Sequence, residues 1–231
     1  MNVEILRLLE GARRARGVAV IIDVFRAYTV ECVAMARGAK RILPVATIEE
    51  ARALKAAEPD ALLVGERGGW MCEGFDCGNS PSRLAALDVR GRTVIHTTSA
   101  GTQGAAAAAG AEVVLGGALV NARATARYIR RLQPEHVSLV AMGLSGRTPT
   151  DEDELCAAYM KALLCGEPFC FGDRLEALRE TTGRKFFDPG LQEAFPQADF
   201  DMCIQVDRYD AVLRMDRQAD GFCVRPLNLA P

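Results

Sequence analysis

The sequence predicts a three-layer α/β/α domain on a mostly parallel sheet, and three observations carry that reading. Short apolar, β-branched runs such as residues 18–24 (VAVIIDV) show no polar alternation, which marks strands covered on both faces. Helical stretches separate these runs, so strand and helix alternate through most of the chain. The 231 residues are 49% apolar, enough for one sizeable core. Residues 1–231 are therefore read as a single domain.

Taken in order, residues 3–16 read as a short extended entry and a helix with an Arg-rich tail. Residues 18–24 form a buried strand with Asp23 near its end. A helix over 28–37 stops at Gly38, a residue suited to a left-handed C-cap. Residues 42–46 are the next strand, and Thr47 with Glu50 three residues later forms a capping-box pattern. Residues 61–64 make a third strand. A glycine-rich loop over 65–81 follows, with five glycines, and ends at Ser80-Pro81, an N-cap and first helical residue. Strands over 93–98, 113–115 and 137–142 alternate with an Ala-rich helix ending at Gly110 and a helix over 122–132. Residues 143–149 form a loop, and an acidic helix starts at Thr150. From about residue 171 the chain reads as helices followed by shorter alternating segments at 202–206 and 211–215.

Composition excludes several classes. The 28 basic and 30 acidic residues are well mixed and give a net charge of −2, so no extended nucleic-acid surface is expected. No apolar run approaches the roughly 18 residues of a membrane span, and the N-terminal stretch is not a basic segment leading into a cleavable apolar core. A cytoplasmic protein is expected. The eight cysteines lack zinc-site spacing and a chain this long does not need disulfides, so all are read as reduced thiols. His96 and His136, the two histidines, fall in or beside strands and read as structural residues, which leaves little for a histidine phosphatase or a Ser-His-Asp hydrolase.

In a parallel sheet the strand C-termini share one edge, where ligands collect. Asp23 and Arg26 follow the first buried strand, and Glu66 and Arg67 the third. Residues 97–102 (TTSAGT) follow the fourth, and the acids at 151–154 the sixth. Loops of seventeen residues such as 65–81 are uncommon unless they bind something, and this one also carries Asn79 and Ser80. The turn Thr97, Thr98, Ser99, Gly101 and Thr102 offers hydroxyls and backbone N–H groups to an anion, although the same residues serve as an ordinary N-cap. Asp23 with Glu66 suits a hard cation such as Mg²⁺. Metal-assisted chemistry on an anion is what remains.

These residues carry a resemblance. Residues 20–27 (VIIDVFRA), the blocks at 65–69 (GERGG), 74–76 and 78–81 (GNSP), residues 97–102, 152–157 (EDELCA) and 203–207 (CIQVD) resemble the 2-phosphosulfolactate phosphatase family in order along nearly the whole chain. The resemblance implies a three-layer α/β/α fold. It also implies a Mg²⁺-dependent phosphatase that converts a 2-phospho-3-sulfo acid to 3-sulfolactate, a step toward coenzyme M. A small anionic phosphorylated substrate of that kind needs positive groups, for which Arg26, Arg67 and Arg147 stand as candidates. Phe25 and Tyr28 replace the family's more usual leucine and small hydroxyl residue, and Ser99-Ala100 replaces Thr-Asn.

The expected site therefore places Asp23, Glu66, Glu152 and Asp153 around Mg²⁺, with Asp23 readable as nucleophile or as ligand. Asp23, Arg26, Glu66 and Arg67 are the expected catalytic groups. Asn79, Ser80, Thr97, Thr98, Ser99, Gly101, Thr102 and Arg147 are the expected substrate contacts. A homodimer is expected, with neither nucleic acid nor membrane as partner. The rival readings are a non-catalytic sensor of a phosphorylated or sulfonated acid, and another phospho-acid enzyme such as a transferase or isomerase.

Overall fold

A computed structural model describes residues 1–218 and 221–227. The chain runs β1 (Asn2–Arg7), α1 (Leu8–Arg14), β2 (Val18–Ile22), α2 (Ala27–Ala36), β3 (Arg41–Pro44), α3 (Ile48–Ala57), β4 (Leu62–Arg67), β5 (Trp70–Met71), α4 (Pro81–Leu84), β6 (Thr93–Thr97) and α5 (Gly101–Ala107). It continues through β7 (Val113–Gly117), α6 (Ala122–Leu132), β8 (His136–Ala141), α7 (Asp151–Cys165), α8 (Arg174–Ala177), α9 (Gln197–Cys203), β9 (Leu213–Gln218) and β10 (Gly221–Val224). The architecture is the expected α/β/α arrangement. Among the described residues no helix is long and apolar enough to cross a membrane.

Local chemistry explains the better-defined elements. All five residues of β2 are buried, between β8 and β7, and each fully buried Val or Ile contributes about 1.5–3 kcal/mol. Thr47 and Glu50 form the reciprocal capping box that starts α3. Ser80 accepts from the Arg83 N–H at the head of α4, with Pro81 at the first helical position. Residues 202–206 are not an extended segment: Met202 and Cys203 complete α9 and a turn follows. All eight cysteines are free thiols.

The sheet departs from a single parallel ribbon. Its order is β1-β8-β2-β7-β9-β10-β3-β6-β4-β5. The pairings β1/β8, β8/β2 and β2/β7 are parallel, as are β3/β6 and β6/β4. The three pairings that join these halves, β7/β9, β9/β10 and β10/β3, are antiparallel. The halves therefore run in opposite senses, and their loops cannot share one edge by topology alone. They meet because the chain leaving β6 crosses over, and α5 packs against α1, β2 and β7 of the first half. Helices α6 and α7 pack together and against the strands of that half.

Tyr28 shows how closely the first half is packed. Its ring is fully buried, and a Cβ added at Gly116 would fall 2.5 Å from that ring, so only glycine fits there. The phenol donates to the Gly101 carbonyl at 2.9 Å. Tyr28 is thus a core residue, outside the cavity lining described below.

Candidate active site

The loops after β2, β4, β6 and β8 enclose a cavity of about 490 Å³ lined by Asp23, Glu66, Glu152 and Asp153, together with Arg26, Asn79, Ser99 and Lys185. The four carboxylates come from three separate parts of the chain, Glu152 and Asp153 being neighbours on α7, and backbone N–H groups aim most of them. Asp23 Oδ1 accepts from the Ala27 N–H at 3.2 Å, and its Oδ2 accepts from Gly101 at 2.9 Å. Glu66 Oε1 accepts from the Ser99 N–H at 2.7 Å, and its Oε2 accepts from Gly69 at 2.6 Å and from the Ser99 hydroxyl at 3.1 Å. Asp153 reaches from the first turn of α7 to the N–H groups of Val24 and Gly143, both at 2.8 Å. Glu152 accepts from the Thr182 hydroxyl.

These bonds revise the expected anion turn. Its N–H groups at Ser99 and Gly101 are occupied by the protein's own carboxylates. Thr98 and Thr102 close on each other, each hydroxyl accepting from the other's N–H, at 3.0 and 3.2 Å. The turn therefore positions acids; its Ser99 lines the cavity, while Thr97, Thr98, Gly101 and Thr102 stand behind the cavity wall.

Other expected contacts also turn away. The Arg67 guanidinium donates to the carbonyls of Glu66 and Ala46 and to the Thr97 hydroxyl, which fastens β4 to β6 instead of reaching a ligand. Ser80 caps α4 and donates to Asp199 at 2.8 Å. Arg147 lies exposed in the loop after β8, outside the cavity lining. Arg26 lines the cavity, but its Nη1 pairs with the fully buried Asp199 at 2.6 Å and donates to the Ala194 carbonyl. Its charge is largely committed.

The sequence reading missed the wall opposite the acids. Lys185, Thr182 and Phe195 come from irregular turns and short helices that close over the cavity. The Lys185 ammonium lies 5.5 Å and 5.2 Å from the ring centres of Phe186 and Phe195. Phe25 extends this wall and packs edge-on against Phe186 at 5.1 Å. A cation embedded among aromatic residues, Gly-Arg-Lys-Phe-Phe, is the signal that could have flagged the segment.

Electrostatics set the character of the site. Burial pushes Asp23 up to about 6, against the pull of the Ala27 N–H, and the negative charges of Glu66 and Glu152 add to the rise. Burial likewise raises Glu152, and raises Asp153 well above the usual range with help from Glu152 and Asp23. Burial lowers Lys185, with the charge of Glu152 opposing that shift.

Hard carboxylate oxygens in uncompensated excess suit Mg²⁺, since buried charges are paired or coordinate metals. The expected four-carboxylate shell is not formed, however: among the described residues no group of three acids, histidines or cysteines converges as a metal cluster. The reason lies in the backbone bonds that hold Asp23, Glu66 and Asp153 to different loops. A cation here would take one or two carboxylates and complete its shell with water and ligand oxygens, the usual habit of Mg²⁺.

The chain is similar to known proteins of one family. The family model described as 2-phosphosulpholactate phosphatase matches residues 5–218. A protein of Caldicellulosiruptor saccharolyticus named probable 2-phosphosulfolactate phosphatase is 36% identical over 211 residues, covering 84% of this chain and 87% of its own length. One of the same name from Bacillus subtilis is 33% identical over 205 residues, covering 87% and 88%.

Proposed function

The chain belongs to the 2-phosphosulpholactate phosphatase family, and from that membership we propose that it hydrolyses the phosphomonoester of 2-phosphosulfolactate, or of a closely related 2-phospho acid, with Mg²⁺. The observation that carries the metal is the charge balance of the cavity. Four carboxylates line it, whereas of its two basic side chains among the described residues Arg26 is already paired with Asp199, leaving Lys185. A substrate bearing phosphate, sulfonate and carboxylate does not enter such a site unless added positive charge accompanies it.

One or two of Asp23, Glu66 and Glu152 would hold the cation, and when bound it would offset phosphate charge and polarise the phosphoryl group. The chain's own groups do the rest. The N–H groups of Ala27, Gly101, Gly69 and Ser99 fix Asp23 and Glu66 in orientation before substrate arrives, so no reorganisation is needed during reaction. Lys185 pairs with an oxyanion of the substrate. Phe25 and Phe195 border the cavity with apolar surface and limit water around the reacting charges.

The test is phosphate release from 2-phosphosulfolactate and a panel of 2-phospho acids, before and after chelation and with Mg²⁺ restored. Loss in chelator and recovery with Mg²⁺ is the expected result. Full turnover in excess chelator would remove the cation, and tight binding without turnover would make the chain a sensor.

A further inference from the structure

Behind the cavity lies a buried polar chain that the phosphatase reading does not use. Glu31 on α2 is 1% exposed and His96 on β6 is fully buried. Glu31 Oε1 lies 2.9 Å from His96 Nδ1, and His96 Nε2 lies 3.2 Å from Asn79 Oδ1. Asn79 is 5% exposed and lines the cavity. The second Glu31 oxygen, Oε2, is buried with no hydrogen-bond partner, so the imidazole is the compensation this carboxylate has.

The orientation of Asn79, with its carbonyl on the side of the ring, gives the chain its polarity. Both neighbours of the ring are acceptors, a carboxylate oxygen and an amide carbonyl, and a neutral imidazole can donate to one of them only. An imidazolium donates to both. It then holds the Asn79 carbonyl inward and leaves the two amide N–H bonds for the cavity. A neutral ring would leave a bare Nε2, which accepts from the amide, reverses Asn79 and turns its carbonyl toward the incoming anion. The two arrangements present opposite charge to the same ligand.

We propose that Glu31 and His96 are positioning residues for substrate binding: through the buried Glu31–His96–Asn79 chain they hold the Asn79 amide with its N–H bonds facing the cavity, where they donate to an anionic oxygen of the substrate. This inference rests on the reading that the cavity takes a phosphorylated acid, and its tests separate the two. A hydrogen bond to a charged group changes binding by roughly 10- to 100-fold. Asn79→Ala should therefore raise KM by about that factor with kcat changed much less, the pattern of a contact made equally in ground and transition states.

Glu31→Gln keeps the shape and one acceptor but removes the charge that pairs with the ring, so it should raise KM to the same extent. The double variant should be no worse than Asn79→Ala alone, because Glu31 acts only through Asn79. A purely structural Glu31 gives the contrary result, a lowered Tm with unchanged KM, or additive losses in the double variant; either outcome overturns the proposal. Inorganic phosphate titrated into the same variants supplies a binding constant that does not depend on finding the right ester.

A measurement that leaves the Glu31–His96–Asn79 chain intact decides the matter even if those variants fail to fold. Ring ¹⁵N shifts, with His136→Gln separating the two histidines, should show that both ring nitrogens of His96 carry hydrogen, as donation to both Glu31 and Asn79 requires. A ring with one bare nitrogen overturns the proposal whatever the substrate proves to be.

Discussion

The cavity has two walls of opposite character. One wall is made of strand ends, and its carboxylates at Asp23, Glu66 and Asp153 are each gripped by two or more hydrogen bonds from their own and neighbouring loops. The other is made of short turns between residues 171 and 203, held by aromatic rings packed edge-on or tilted against one another and by one buried ion pair, Arg26–Asp199. Negative charge and backbone order sit together, while positive charge sits on the less regular wall. Acids can be oriented in advance by N–H groups that a parallel sheet and its helices already expose. An ammonium has no such ready partner and is cushioned by rings instead.

The largest expected effect breaks the join between the walls. Asp199 accepts from Arg26, Ser80 and Ser82, and removing one partner of a buried ion pair typically costs about 3–5 kcal/mol. Asp199→Ala should lower Tm by about 6–20 °C for a chain of this size. A fall below about 2 °C would mean that Arg26 is solvated and that the turns are not tied to β2.

Next comes the cation of the irregular wall. Lys185→Met should lower kcat/KM by roughly 30- to 1,000-fold, the cost of removing a charge-assisted contact from a desolvated site. Tm should stay level or rise, since burial already disfavours the lysine's charge. Arg67→Ala should change kcat/KM by less than about tenfold, its bonds being internal. Equal losses at the two positions would erase the distinction drawn between them.

The two adjacent acids of α7 sharpen the comparison within one helix turn. Asp153→Asn supplies one acceptor where two N–H groups need one each, and should cost about 1–3 kcal/mol of stability by denaturant titration. Glu152→Gln leaves those bonds intact and removes a carboxylate that burial disfavours, so stability should hold or increase while turnover falls. If Glu152→Gln is the less stable of the pair, burial is not the governing term.

The smallest effect is a pH dependence. Asp23 is held near 6 in the folded chain, above the roughly 3.9 of an unfolded aspartate. Its ionisation therefore costs stability in full above about pH 6, and that cost vanishes below about pH 4. A cation at the carboxylates should offset this cost, so Mg²⁺ should raise Tm more at pH 8 than at pH 5, where protons compete. The same rise at both values would separate Mg²⁺ from Asp23.

What the sequence disclosed follows the same division. The run at 18–24, the Thr47–Glu50 box and the Ser80-Pro81 start are local patterns, and each appears in the structure where its pattern lies. The reversal between the half-sheets is not local, because nothing in β3 or β7 alone records which strand pairs with it. Asp199 finds Arg26 across most of the chain, and no period marks the turns that carry Lys185 and Thr182. Residues 97–102 were legible as a place for an anion, while the identity of the anions, two side chains of the protein itself, depends on how α5 crosses to β2.

The antiparallel hairpin of β9 and β10 has a consequence for how the molecule is made. A polypeptide leaves the ribosome N-terminus first, and every strand of both halves emerges before residues 213–224, which lie between them in the sheet. Until then β7 and β3 present open edges of buried, apolar strands, the kind of edge that invites pairing with other chains. Among the described residues the middle of the sheet is thus made after its flanks: the seam is sewn by strands that follow both halves in the chain, and until they are in place two borders stay unfinished.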